Sequence, residues 1–325
     1  MAVREMPVVT RRSWRRRVSQ NRIAYAFLAP AVTLMVLIHL IPTLQALYMS
    51  LLNLRQENLR QYLRAPFVGL RHYQNILIGL FTGTGSSYVQ GLAQALSNTF
   101  IFAFVVNAAI LGLGLVLALL LNREFVGRGL ARTLILLPWI VPTFVAGLIF
   151  RYIFLQEGGL ANRILVDWLG VMNTPTTWLV GPNARWALII AAVWRGVPLM
   201  SLMLLAGLQV IPGDLYEAAG IDGASAWQRF RYITLPMLKP IIAIQLMFGM
   251  VFNFFGFGPY NIAVAMFGGL NLGTYADLLI PTIARQTFTN QLYSYGAAAS
   301  VLMMLVAMGF VVAWYRIFRD ALTAQ

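Results

Sequence analysis

The chain has 325 residues, 59% of them hydrophobic and only 10% charged, with a net charge of +14. Soluble domains carry about 25% charged residues, so an ordinary soluble fold is excluded and an integral membrane protein is expected. Cysteine is absent and histidine occurs only at His39 and His72, which removes disulfides, thiol nucleophiles and multi-histidine metal sites.

The basic excess starts with Arg11, Arg12, Arg15, Arg16 and Arg17, directly before an apolar run. That is a membrane-orienting pattern, not a nucleic-acid face. Residues 1–22 are therefore expected to form a basic cytoplasmic tail. The uncharged run Ile23–Leu54 is far longer than a signal h-region of ~7–15 residues, so it is expected to stay as a transmembrane helix. A span needs about 20 apolar residues. Six spans are expected, at about 24–50, 93–121, 134–155, 186–210, 241–264 and 295–318. Residues 23–325 then form one all-α, six-span transmembrane domain. Pro30 and Pro42 in the first span predict kinks or shortened ends, and the third span carries Pro138 and Pro142. The distribution of Arg and Lys favours cytoplasmic N- and C-termini. The two larger external segments, 51–92 and 156–185, are too short for a soluble domain of ordinary size.

Between the fourth and fifth spans lies DLYEAAGIDGASAWQRFRYITLP, residues 214–236. Asp214 and Glu217 stand at capping-box spacing, as do Ser225 and Gln228. Gly220 and Gly223 are expected to break the first helix, giving two short helices joined by a glycine bend. Within the spans, Arg195 is the one deeply placed charge, and such a group usually faces a cavity or a partner. Asn253 sits among Phe252, Phe254, Phe255 and Tyr260 and needs hydrogen-bond partners; the rings would either stack on a sugar or pack between helices. Lys239 is the single lysine and is followed by Pro240, so no G-x-x-x-x-G-K-[ST] phosphate loop exists. ATP-driven work would need a nucleotide site on another subunit. A nucleophile, an acid–base pair and a metal cluster are also wanting, which counts against an enzyme.

The 214–236 segment resembles the EAA loop of ABC importer permeases. Glu217, Ala218, Ala219, Gly223, Ile233, Leu235 and Pro236 match E-A-A, three residues, Gly, nine residues, I-x-L-P. NREFVGRGLARTLILLPWIVP and VWRGVPLMSLMLLAGLQVIP are similar to the same family, in its maltose-type sugar-permease branch. The resemblance implies a type I importer transmembrane domain in a bacterial or archaeal inner membrane. It implies a coupling helix that docks on a separate ATPase, with Leu215, Tyr216, Glu217, Ala218, Ala219, Asp222 and Gly223 as the coupling residues. Leu215, Tyr216, Ala218 and Ala219 would present the apolar docking surface. It implies a second homologous permease, two cytoplasmic ATPase subunits that carry ATP and Mg, and an extracytoplasmic solute-binding protein. This chain would hold no cofactor of its own. The implied substrate pathway runs past Trp194, Arg195, Gly196, Phe252, Asn253 and Gly256. Val193, Leu199 and Gly249 depart from the maltose-type pattern, as do Arg195 and Gly256. The alternatives are a permease of the same type for another solute, such as a glycerol phosphate, and an ion-coupled secondary transporter.

Overall fold

The computed structural model describes residues 22–323. The expected basic tail, apart from Arg22, lies outside the described residues. Among these, five helices are long and apolar enough to cross a membrane, and a sixth crossing is available if one bent pair counts as a single span.

The first helix, α1 (Arg22–Met49), is continuous. It passes Pro42 by widening into a π turn at Val36–Leu40. Proline lacks an N–H and crowds the carbonyl four residues back, and a wider turn relieves that crowding. The same device recurs before Pro236, where a π turn covers Phe230–Thr234. Helix α1 stands almost free of the rest of the chain: its apolar stretch has no buried residue.

Next come α2 (Arg71–Thr82) and the 36-residue α3 (Ser87–Asn122). The third span, expected as one helix over 134–155, is divided into α4 (Arg128–Ile140) and α5 (Thr143–Ile153), which meet at 90°. Pro142 sits in the break with extended ψ, 140°, and its missing N–H ends the helical ladder there. Helix α6 (Asn183–Val210) is the fourth span. A short helix, α7 (Gly213–Ile221), follows.

The second short helix expected in 214–236 is not separate. It is the first turn of α8, which runs without interruption over Ala226–Phe255. Helix α8 stops at Gly256, whose backbone is extended (φ −88°, ψ 153°), and α9 (Phe257–Phe267) begins a new helix. The span expected at 241–264 thus straddles a break and omits the first 15 residues of α8. Helix α10 (Leu279–Ala284) leads to α11 (Tyr293–Thr323), the last span.

Helices α3 and α6 form the centre. Asn98 bonds Arg185, Ile110 meets Gly196 and Gly114 meets Met200, in step along both chains, so the two helices run parallel. In lipid there is no hydrophobic drive between helices, and small residues that allow close packing hold them together. The buried polar face of α3 fixes the connector between α9 and α10. Asn98 donates to the carbonyls of Thr274 (2.7 Å) and Asp277 (3.0 Å), and its Oδ1 accepts from Arg185 (2.6 Å). Thr99 accepts from the N–H of Leu279 (2.8 Å), satisfying the first orphan donor of α10. Every one of these buried polar groups is paired, which makes the connector part of the core.

At the same end, opposite α7, residues 50–76 dock on the start of α11. The N–H of Leu54 donates to Ser294 Oγ (2.7 Å). His72 is buried against the Tyr295 ring at 4.4 Å and contacts the Leu52 carbonyl through Nε2 (2.9 Å), while Nδ1 has no partner. Burial lowers the His72 pKa from its usual 6.5, opposed by the Leu52 hydrogen bond and assisted by the charge of Arg71. A depressed histidine pKa means that the folded state binds fewer protons than the unfolded one. The stability from a neutral His72 is full above about pH 6.5 and is lost as pH falls from there towards the lowered folded pKa. Thermal unfolding of the native chain should therefore come earlier at pH 5.5 than at pH 7.5. Substituting Gln for His72 should flatten that difference, and an unchanged pH profile in H72Q would remove His72 as its source.

Candidate functional site

Two regions carry the residues singled out from the sequence. The first is α7 and the turn after it. Pro212, not Asp214, occupies the N-cap position of α7, without a side-chain capping bond, because the helix starts at Gly213. Asp214 makes no capping bond; it sits in the first turn, where its charge complements the helix dipole. Gly220 stays helical. Gly223 ends the helix with φ +75°, and the N–H of Ala224 reaches back to the Ala219 carbonyl (2.8 Å), closing the turn. Ser225 and Gln228 then form the expected capping box, with both bonds present.

The exposed face of α7 differs from expectation. Leu215, Glu217, Ala218 and Asp222 are exposed. Tyr216 and Ala219 turn towards the bundle, and Tyr216 Oη bonds Thr234 Oγ1 at 2.9 Å. Both are half-buried. Ile221, which the sequence pattern did not single out, is 89% exposed. The reason is helical phase: 100° per residue puts 215, 218 and 221–222 on one side and 216 and 219 towards the other.

The second region is a cavity of about 390 Å³ among α3, α6, α8 and α9, bordered by Trp139 of α4. Arg195, Gly196, Phe252 and Asn253, all singled out from the sequence, line it. Trp194 and Gly256 do not. Trp194 turns away, its ring edge-on to Phe150 at 5.4 Å, and Gly256 is the backbone break that ends α8. Two amides not expected from the sequence also line the cavity: Asn107 of α3 and Gln245 of α8. Their signal is present in the chain, since each is an uncharged polar residue inside an apolar run, which must find a partner or a wet surface.

Glycines shape this space. A Cβ at Gly249 would collide with Asn107 Oδ1, and one at Gly196 would collide with Ile110. These positions let α3 pack directly on α6 and α8. Asn107 donates to the Ala103 carbonyl at 2.6 Å. Arg195 keeps a buried Nε with no hydrogen-bond partner. The ion pair found among the described residues, Asp277–Arg285, lies elsewhere. The cavity therefore combines amide donors and acceptors, aromatic surface and one cation. No group of three metal-ligating side chains occurs among the described residues.

Residues 110–323 match the family described as the binding-protein-dependent transport system inner membrane component. The match spans both regions except Asn107. The chain belongs to this family. It is a multi-pass membrane permease.

Similar permeases carry sugar names. The trehalose/maltose transport system permease protein MalF of Thermococcus litoralis is 32% identical over 92% of this chain and 95% of its own length. The trehalose transport system permease protein SugA of Mycobacterium tuberculosis is 36% identical over 81% of this chain and 78% of its own. The sulfoquinovosyl glycerol transport system permease protein SmoG of Agrobacterium fabrum is 34% identical over 91% and 90%. Among solved structures, a chain of a bacterial alginate ABC transporter, in complex with its alginate pentasaccharide-bound periplasmic protein, superposes with a TM-score of 0.77. It covers 95% of this chain and 98% of that chain at 21% identity, a likeness of fold.

Proposed function

We propose that this permease passes a sugar through the cavity between α3, α6, α8 and α9, driven by ATP hydrolysed on separate cytoplasmic subunits. The observation that carries the reading is the cavity itself. Three amides, Asn107, Gln245 and Asn253, share it with the ring of Phe252. Amides both donate and accept and so suit hydroxyl groups, while an aromatic ring suits the apolar face of a pyranose. The trehalose and maltose names of similar permeases support the same class.

Helix α7 is the lever in this reading. Leu215, Ala218 and Ile221 offer an apolar docking face, with Glu217 beside it for a charge-assisted bond to the ATPase. ATP and Mg belong on that partner. The termini and α7 face the cytoplasm, in an inner membrane, and the opposite end receives a solute-binding protein. The bare apolar α1 supports a second permease subunit as its cover.

One observation favours a second solute class. Arg195 borders the cavity without a counter-charge, which suits an anionic solute such as a glycerol phosphate. A transport assay on the assembled complex separates the two. Uptake of neutral mono- or disaccharides is expected; uptake confined to phosphorylated polyols would overturn the sugar reading. Uptake by this chain alone in ATP-free vesicles would overturn the ATP-driven one.

A further inference from the structure

Gln245 enters the proposed function only as one of three cavity amides, with no place of its own along the passage, and its side chain makes no hydrogen bond to the described residues. An amide in the middle of a membrane helix is costly unless it meets a partner or a wet surface. Here the cavity supplies that surface. Gln245, Phe248, Gly249, Phe252 and Asn253 fall at i, i+3, i+4, i+7 and i+8 of α8, so they share one face. All five border the same cavity. Gln245 lies nearer the α7 end than Asn253 by two helical turns, about 12 Å. Between the two amides, Gly249 contributes no side chain, and Asn107 faces that gap from α3. Phe248 and Phe252 are 62% and 50% exposed, one helical turn apart, with open ring surface beside the amides.

We propose that Gln245 is a second hydroxyl-binding station for the transported sugar, on the α7 side of Asn253. The stripe Gln245–Phe248–Phe252–Asn253 is then a track. A sugar leaving the Asn253 level exchanges one amide for another and keeps ring contact with phenylalanine throughout. This lowers the barrier to passage, since no step leaves the sugar hydroxyls without partners in an apolar channel. The inference rests on the cavity being the sugar passage.

The chain has no cysteine, so Gln245→Cys creates a unique thiol in it. The assembled transporter, with its partner subunits, is first assayed with a panel including trehalose and maltose. No sugar uptake by the native complex would overturn the functional reading itself. Given uptake, a water-soluble methanethiosulfonate reagent should modify Cys at 245, read as a mass shift on this chain. The transported sugar should slow that reaction roughly tenfold under turnover, whereas Ile244→Cys, one residue off the track, should show no sugar protection. Labelling that is absent, or equal with and without sugar, would overturn the station while leaving the transport function standing. Two further variants test the hydroxyl contact. Gln245→Leu should slow transport about three- to tenfold, the range for one lost hydrogen bond, and Gln245→Asn should restore part of the rate. Native rates in Gln245→Leu would overturn the proposal. If the Cys variant fails to assemble, a photoreactive derivative of the transported sugar on the native chain serves instead. Cross-links should map to 245–249 as well as 252–253, and cross-links to 252–253 alone would refute the second station.

Discussion

Proline at Gly223 is expected to cut sugar uptake and binding-protein-stimulated ATP hydrolysis by roughly tenfold or more, since a proline forced into an incompatible backbone costs ~3 kcal/mol or more. Gly223 has φ +75°, and proline is locked near −65°. Proline would also remove the N–H that donates to the Gly220 carbonyl (3.1 Å). The turn sets the angle between α7 and α8, so a lever built on it would lose its geometry. The damage should stay local, because no residue of α7 is buried and insertion of the spans does not depend on it. Nothing lies within 4 Å of a Cβ built at Gly223. Alanine there tests backbone strain alone, about 1–2 kcal/mol, and should give a milder defect in the same direction. The measurements are uptake, stimulated ATPase and the amount of chain in the membrane. Normal coupling in Gly223→Pro, with normal abundance, would end the lever interpretation.

The largest stability effect should come from separating Asp277 and Arg285. Their side chains are 12% and 20% exposed and meet at 2.5 Å, and Arg285 also donates to the Leu270 carbonyl at 2.7 Å. Asp277→Ala leaves a guanidinium in a mostly buried site with one partner. Losing one member of a buried pair costs about 3–5 kcal/mol. The connector they hold is also tied to α3 by Asn98, so loosening it should loosen the α9–α10 junction as a unit. The apparent Tm of the purified complex should fall by ~10 °C. The double variant Asp277→Ala/Arg285→Leu should recover part of the loss, because the orphaned charge goes with it. A single variant that melts like the native complex would show that the pair is energetically idle.

Much of the fold is legible in the sequence. Apolar runs of about 20 residues mark the spans wherever they occur, and the runs around α1, α3, α6, α8 and α11 all fall on helices. The capping box at Ser225 and Gln228 is legible for a similar reason, since both partners lie within one turn. The third span departs from expectation because Pro142 ends a helix only if the chain can turn aside there. Neighbouring helices decide that: Asn261 of α9 donates to Thr143 at the very start of α5 (3.4 Å). The start of α8 is hidden because Pro236 reads as a boundary, whereas the π turn over Phe230–Thr234 carries the helix past it.

The candidate site is legible in part. Arg195, Gly196, Phe252 and Asn253 share the cavity, Trp194 and Gly256 leave it, and Asn107 and Gln245 join it. On α7, Tyr216 and Ala219 are half-buried while Ile221 is exposed. These differences share a cause. A span that is apolar on every side offers no contrast between its faces to say which one looks inward, and a nine-residue helix has too few turns to fix its phase.

What the sequence determined by itself was the membrane class, the number of apolar segments and the family, because composition, run length and the E-A-A…G…I-x-L-P spacing are properties of the chain read in one direction. Tertiary structure alone decided which side chains meet. Asn107, Arg195 and Gln245 are far apart along the chain and become neighbours only where Gly196 and Gly249 let three helices close on one another. In lipid that closeness is set by the fit of one helix surface into the next, and no single helix contains the information for it.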